Sequence, residues 1–226
     1  MKIKVCGLTD PANALAVAWA GVDWVGLNFH PLSSRFVEIE RAAEIVQALP
    51  KGVEAVGVFV DRPAEEVAET AHRVGLRIVQ LHGQEPLETV LALQKEGLAV
   101  IRAFRLANEE AILEMIGYLD RADLLGVGLD AVLVDAHVPG QAGGTGHAIA
   151  DHLLDSLPVL PHLILAGGLT PENVADRVAR VQPWMVDVAG GVESAPGWKD
   201  PQRVLDFVQA ARESVPPVDI PGINSG

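Results

Sequence analysis

A thiol directly ahead of a glycine, in KVCGLTD, a carboxylate closing the apolar run VLVD, and an arginine in the loop NFHPLSSRFVE are the residues of this chain best suited to acid–base chemistry on an anionic substrate. Cys6 is a candidate base, although a thiol with a reference pKa of ~8.5 is only a few per cent thiolate at pH 7 unless its surroundings change that. Asp135 is a candidate acid if a partly dry environment keeps it protonated. The planar fork of Arg35 suits a carboxylate. Two glycine pairs, Gly167 and Gly168 in LAGGLTPEN and Gly190 and Gly191 in VDVAGGVE, can bring backbone N–H groups close to a phosphate. Each residue also has a plainer reading. Cys6 can be a small buried hydrophobe, Asp135 a loop-capping acceptor, Arg35 a surface cation paired with Glu38, and the glycines makers of tight turns. His30 and His82 are either substrate neighbours or polar rim residues, and Arg105 is a further charged residue that follows an apolar run.

These residues need strands to position them. Short runs rich in Val, Ile and Leu recur at roughly 20–30 residue intervals, separated by helical stretches with one polar face. Eight such runs are expected: Ile3 to Cys6, Trp24 to Asn28, Ala55 to Val60, Ile78 to Leu81, Ala99 to Phe104, Ala131 to Val134, Leu163 to Ala166 and Met185 to Val188. Pro11, Pro63, Pro86 and Pro171 fall at or near the first turn of the helices that follow. Regular spacing and the absence of an early GxGxxG favour a single closed (β/α)8 barrel over an open doubly wound sheet. The barrel is expected over 1–214, with 215–226, which carries three prolines, as an irregular tail. In such a barrel the residues after each strand form the active site, and phosphate commonly sits at the ends of strands seven and eight.

Composition narrows the partners. Seventeen Lys and Arg against thirty Asp and Glu leave a net charge of −13, which opposes nucleic-acid binding. An anionic substrate must then be held by local positive groups and backbone donors. No run is long enough for a membrane span. The first ten residues lack the apolar stretch of an export signal, and one cysteine cannot make an internal disulfide, so a cytoplasmic protein is expected. Without an HxH, HExxH or Cys cluster, neither a metal nor another cofactor is called for. The expected partner is a small anion with a phosphate group, with the chain a monomer or homodimer.

Taken together, KVCGLTDPANA, SSRFV, GVFVD, VQLHG, LVDA followed by GGTG, LAGGLTPENV and VDVAGGVESAPGWKD resemble the phosphoribosylanthranilate isomerase family over nearly the whole chain. The resemblance implies an Amadori rearrangement of a small phosphosugar in tryptophan biosynthesis, with Cys6 as general base and Asp135 as general acid. It implies Arg35 on the anthranilate carboxylate, and phosphate held by Gly167 and Gly168 together with Ala189, Gly190 and Gly191. Asp187 would lie near the substrate's aryl-amine. Three positions depart from the family pattern: SPR is replaced by Ser33, Ser34 and Arg35, VDVSSGVE by VDVAGGVE, and the lysine after GGTG by His147. A histidine-pathway isomerase would carry an aspartate in place of Cys6. A phosphate-binding barrel without catalysis would need neither Cys6 nor Asp135.

Overall fold

A computed structural model describes residues 1–136, 149–160 and 162–214. Eight parallel strands close into one barrel in sequence order: β1 (Lys2–Cys6), β2 (Trp24–Asn28), β3 (Glu54–Phe59), β4 (Ile78–Leu81), β5 (Ala99–Leu106), β6 (Ala131–Ala136), β7 (Leu163–Leu165) and β8 (Met185–Val188). Eight helices cover it: α1 (Pro11–Trp19), α2 (Ile39–Ala48), α3 (Ala64–Val74), α4 (Leu87–Lys95), α5 (Glu109–Leu124), α6 (Asp151–Asp155), α7 (Val174–Val181) and α8 (Pro201–Glu213). The expected (β/α)8 barrel is what forms. No helix of the described residues is long and apolar enough to cross a membrane. The segment 215–226, the GGTG loop at Gly143–Gly146 and His147 lie outside the described residues.

Two helix starts show how local sequence sets the elements. Asp10 accepts the Asn13 N–H at 3.0 Å and Pro11 occupies the first turn of α1. Asp200 accepts the Gln202 N–H at 2.9 Å ahead of Pro201 in α8. Both pairs satisfy donors that a helix leaves open, with a ring already set to helical φ. Pro171 does otherwise: Asn173 accepts the Thr170 N–H at 2.8 Å in a turn, and α7 begins only at Val174.

The core has two shells. Outward-facing strand residues such as Ile3, Val5, Val79 and Val186 pack under the helices, while Val56, Ile101, Ala103, Ala131, Leu133, Ile164, Ala166 and Met185 fill the lumen. This alternation follows from the two-residue period of a strand. Truncating a lumen residue such as Leu133 to Ala costs about 2–5 kcal/mol, because the ring of strands cannot collapse into the void. Strands β5 and β6 run two residues further than their apolar runs suggested. Arg105 pairs in register with Asp135, and Leu106 with Ala136. Asp135 therefore belongs to the strand itself, on the same face as Arg105. A two-stranded antiparallel ribbon, β9 (Glu193–Ala195) and β10 (Trp198–Lys199), follows β8 and was not foreseen; its strands are too short to show a period.

Candidate active site

Period-two alternation along β1 sends Lys4 and Cys6 to the same, inward face. On the neighbouring strand β8, Asp187 is in register with Lys4, and the Lys4 Nζ donates to Asp187 Oδ2 at 2.8 Å. Lys4 is fully buried. Burial alone would lower its pKa, but the charges of Asp187 and Cys6 outweigh that and hold it above the usual lysine value. The same burial lifts Asp187 above the usual carboxylate range despite Lys4, and Asp135 across the lumen adds to the rise. Asp187 Oδ1 is buried and has no hydrogen-bond partner among the described residues. Lys4 is not among the residues expected from sequence. Its signal was the pattern K-x-C in a strand, since a lysine on a buried strand face demands a counter-charge.

The Cys6 thiol occupies space left by Gly26, its register partner on β2; a Cβ there would come within 2.7 Å of the sulfur. Burial pushes the thiol up, and the positive charge of the nearby Lys4 ammonium offsets this only in part. Lys199 on β10 adds a second positive charge nearby. In the absence of substrate Cys6 is thus held above its ordinary value, with the groups that stabilise a thiolate already beside it.

Arg35 does not pair with Glu38. Its Nε and Nη2 donate to the two carboxylate oxygens of Glu193 at 2.7 Å each, and Glu193 also takes the Lys199 Nζ at 2.6 Å. This Arg–Glu–Lys cluster is well shielded, with the Arg35 and Glu193 side chains 13% and 7% exposed. Burial would raise the Glu193 carboxyl, yet the Arg35 bonds and Lys199 charge prevail and hold it below the usual range. Gly7 sits directly under the arginine, and a Cβ at that position would collide with Arg35 Cδ. The arginine is therefore aimed by a glycine on one side and by the ribbon on the other. Its Nη1 makes no hydrogen bond among the described residues. Glu193 and Lys199 are not among the residues expected from sequence, and their roles exist only because the ribbon folds back against the loop after β1 and the start of α1.

On the opposite wall, Asp135 is 8% exposed and its Oδ2 lies 3.4 Å from the Nε2 of His82. His82 follows β4, and its Nδ1 is 3.0 Å from Gln80 Nε2. Arg105 Nη2 donates to the His82 carbonyl at 3.1 Å.

Gly167 and Gly168 follow β7 with φ of +87° and +62°, conformations that other residues adopt only under strain. Asn173 Nδ2 donates to the Gly168 carbonyl at 2.9 Å and anchors that turn. After Ala189, residues Gly190–Val192 form one 3₁₀ turn. Gly191 presses so closely on the Leu169 carbonyl that no Cβ fits, and Arg203 Nε and Nη2 both donate to the Gly191 carbonyl. The two glycine loops are thus packed against each other at the strand ends, with their backbone fixed from behind.

Comparison with known proteins agrees with this geometry. A family profile described as N-(5'phosphoribosyl)anthranilate (PRA) isomerase matches residues 3–210. The N-(5'-phosphoribosyl)anthranilate isomerase of Chlorobaculum parvum is 42% identical over 94% of this chain and 95% of its own. The crystal structure of the phosphoribosyl anthranilate isomerase from Thermotoga maritima superposes with a TM-score of 0.81 at 33% identity, covering 94% of this chain and 99% of that one. A further similar structure, with a TM-score of 0.78 and 32% identity over 94% and 99% of the two chains, is that of a phosphoribosyl anthranilate isomerase in complex with reduced 1-(o-carboxyphenylamino)-1-deoxyribulose 5-phosphate. On the extent of these matches, this barrel is an isomerase and belongs to the N-(5'-phosphoribosyl)anthranilate isomerase family.

Proposed function

We propose that the chain catalyses the Amadori rearrangement of N-(5′-phosphoribosyl)anthranilate to 1-(2-carboxyphenylamino)-1-deoxyribulose 5-phosphate, with Asp135 as acid and Cys6 as base. The observation that carries this reading is the placement of a thiol and a carboxyl on β1 and β6, facing one lumen, with the Lys4–Asp187 pair in the same lumen. Asp135 protonates the furanose ring oxygen as the C1′–O bond breaks, giving a Schiff base. Cys6, as thiolate, takes the C2′ proton, and the resulting enolamine tautomerises to the ketone. No cofactor enters this scheme.

Lys4 and Lys199 supply positive charge at the sulfur, which offsets part of the burial cost of the thiolate as it forms. Asp187 Oδ1, buried and without a partner, is an acceptor for the N–H of the aryl-amine. The substrate carboxylate meets the uncommitted Nη1 edge of Arg35. The phosphate sits on the backbone N–H groups around Gly167 and Gly168 and around Ala189, Gly190 and Gly191, whose donors survive the loss of the two serines of the family pattern. Holding both ends lets remote binding energy align the reacting carbons between base and acid.

The direct test is the loss of anthranilate-type fluorescence when purified protein meets freshly generated phosphoribosylanthranilate, run beside Cys6→Ser. Rapid decay that the substitution abolishes is the expected result. Decay no faster than the uncatalysed background overturns the proposal.

A further inference from the structure

One side chain at the barrel mouth is tied at all its polar atoms but one. The His82 N–H donates to the Phe59 carbonyl at 2.8 Å, its carbonyl accepts from Arg105, and its Nδ1 faces the Gln80 amide nitrogen at 3.0 Å. Gln80 lies on the lumen face of β4, two residues before His82, and is 1% exposed. An amide nitrogen has only hydrogens to offer, and facing it Nδ1 accepts when the neutral ring carries its proton on Nε2. That Nε2 is buried, has no hydrogen-bond partner among the described residues, and stands 3.4 Å from Asp135 Oδ2. The contact is a few tenths of an ångström longer than a good N–H···O bond, as is common for catalytic contacts before substrate closes the site.

We infer that His82 is a positioning residue for Asp135, within the isomerase reading above: Gln80 fixes the imidazole tautomer, and the Nε2–H binds Asp135 Oδ2 so that Oδ1 carries the acid proton toward the ring oxygen. The chain of donors runs one way, from the Gln80 amide through the imidazole to the carboxyl. A carboxylic acid has one proton and two near-equivalent oxygens. Occupying Oδ2 as an acceptor removes the ambiguity and also prevents the acid from turning its own proton into the wall. The logic is that of outer partners which orient a reactive group without touching the substrate. His82 shares no hydrogen bond with Cys6, Arg35 or the glycine loops, so its effect falls on the acid step and not on binding.

The experiment is steady-state kinetics of the full chain carrying His82→Leu, His82→Asn or His82→Gln, each alone and with Asp135→Asn. Glutamine can place an amide N–H close to the Nε2 position, whereas asparagine is too short and leucine has no donor. The expected result is a kcat lowered ~10-fold or more by Leu and Asn, a KM within ~3-fold of wild type, and a kcat largely restored by Gln. In the Asp135→Asn background the same His82 substitutions should cost less than ~2-fold, because the group they position is already gone. Asparagine keeps the site polar and small, so the test survives if the leucine variant fails to fold. Full turnover by His82→Asn, equal losses with Gln and Asn, or losses that simply multiply with Asp135→Asn would each overturn the role. The wild-type assay tests the isomerase reading separately: no turnover there removes that reading, whereas full turnover by His82→Asn removes only the role of His82.

Discussion

The barrel wall around Cys6 and the wall around Asp135 differ in what surrounds the reactive group. On the first, Lys4, Lys199 and Arg35 bring three positive charges to one thiol, balanced by Asp187 and Glu193. On the second, the ionisable side chain within 4 Å of the carboxyl among the described residues is His82, set against the neutral Gln80, while Arg105, in register with Asp135, gives its Nη2 to the His82 carbonyl and keeps a buried Nε without a partner. The contrast fits the roles proposed for the two groups. A neutral acid that becomes an anion in a buried site needs positive charge nearby, whereas a carboxyl that must arrive protonated is better served by oriented dipoles than by a full cation beside it. In the proposed mechanism one lumen runs base and acid chemistry by giving its two sides different electrostatics.

The sharpest way to break this comparison is to remove the two reactive groups. Cys6→Ser and Asp135→Asn should each reduce turnover by ~10²-fold or more with the fold intact. Circular dichroism and single-turnover rates check both halves of that statement, and unchanged turnover in either variant removes that residue's role. Arg35→Ala should act on binding, raising KM by ~10-fold or more through loss of a charged hydrogen bond while kcat changes less. A fall in kcat at unaltered KM would contradict the clamp.

Lys4→Met tests the charged wall through stability. It leaves Asp187 buried without its ammonium, a change that costs about 3–5 kcal/mol when a buried pair is broken from one side. Denaturant unfolding measures it. The same variant should move the pH midpoint of Cys6 alkylation further upward, from a wild-type value that already lies above that of an ordinary thiol because burial outweighs Lys4. A wild-type midpoint at or below ~8.5 would show that the cations win in the free enzyme.

The smallest effect is expected at Glu193. Its folded carboxyl titrates below the usual range, so its contribution to stability is present above the ordinary carboxylate pKa and is lost as pH falls through the depressed folded value. Glu193→Gln should therefore flatten the fall of unfolding free energy below about pH 4, and by loosening Arg35 it should raise KM more than it lowers kcat. An acid limb as steep as wild type would mean that Glu193 carries no such linkage.

Much of this was legible in the chain, and unevenly so. Three strands, Trp24–Asn28, Ile78–Leu81 and Met185–Val188, have the expected limits, because their apolar runs stop where the pairing stops. β5 and β6 run on through Arg105 and Asp135 because a strand end is set by its neighbour's backbone as much as by its own side chains. Pro171 signalled a helix three residues early, since proline favours turns as well as first helical turns. Cys6, Asp135 and the glycine pairs could be picked out by residue type and by their position at the ends of apolar runs. Lys4 carried only the K-x-C pattern, and Lys199, Glu193 and Gln80 carried no signal: each looks ordinary in its local sequence and matters through the residue it meets in the fold.

By itself the sequence determined that eight βα units would close on one core, and which ends of the strands would carry a thiol, a carboxyl, an arginine and glycine loops. Those are consequences of local period and residue chemistry, which act over a few residues. The tertiary structure alone decided that Arg35 would be gripped by Glu193, 158 positions away, that Lys4 would meet Asp187 across 183, and that His82 would point its unpartnered nitrogen at Asp135. Such contacts depend on register, twist and closure of the barrel, and on desolvation that no single stretch of chain can supply.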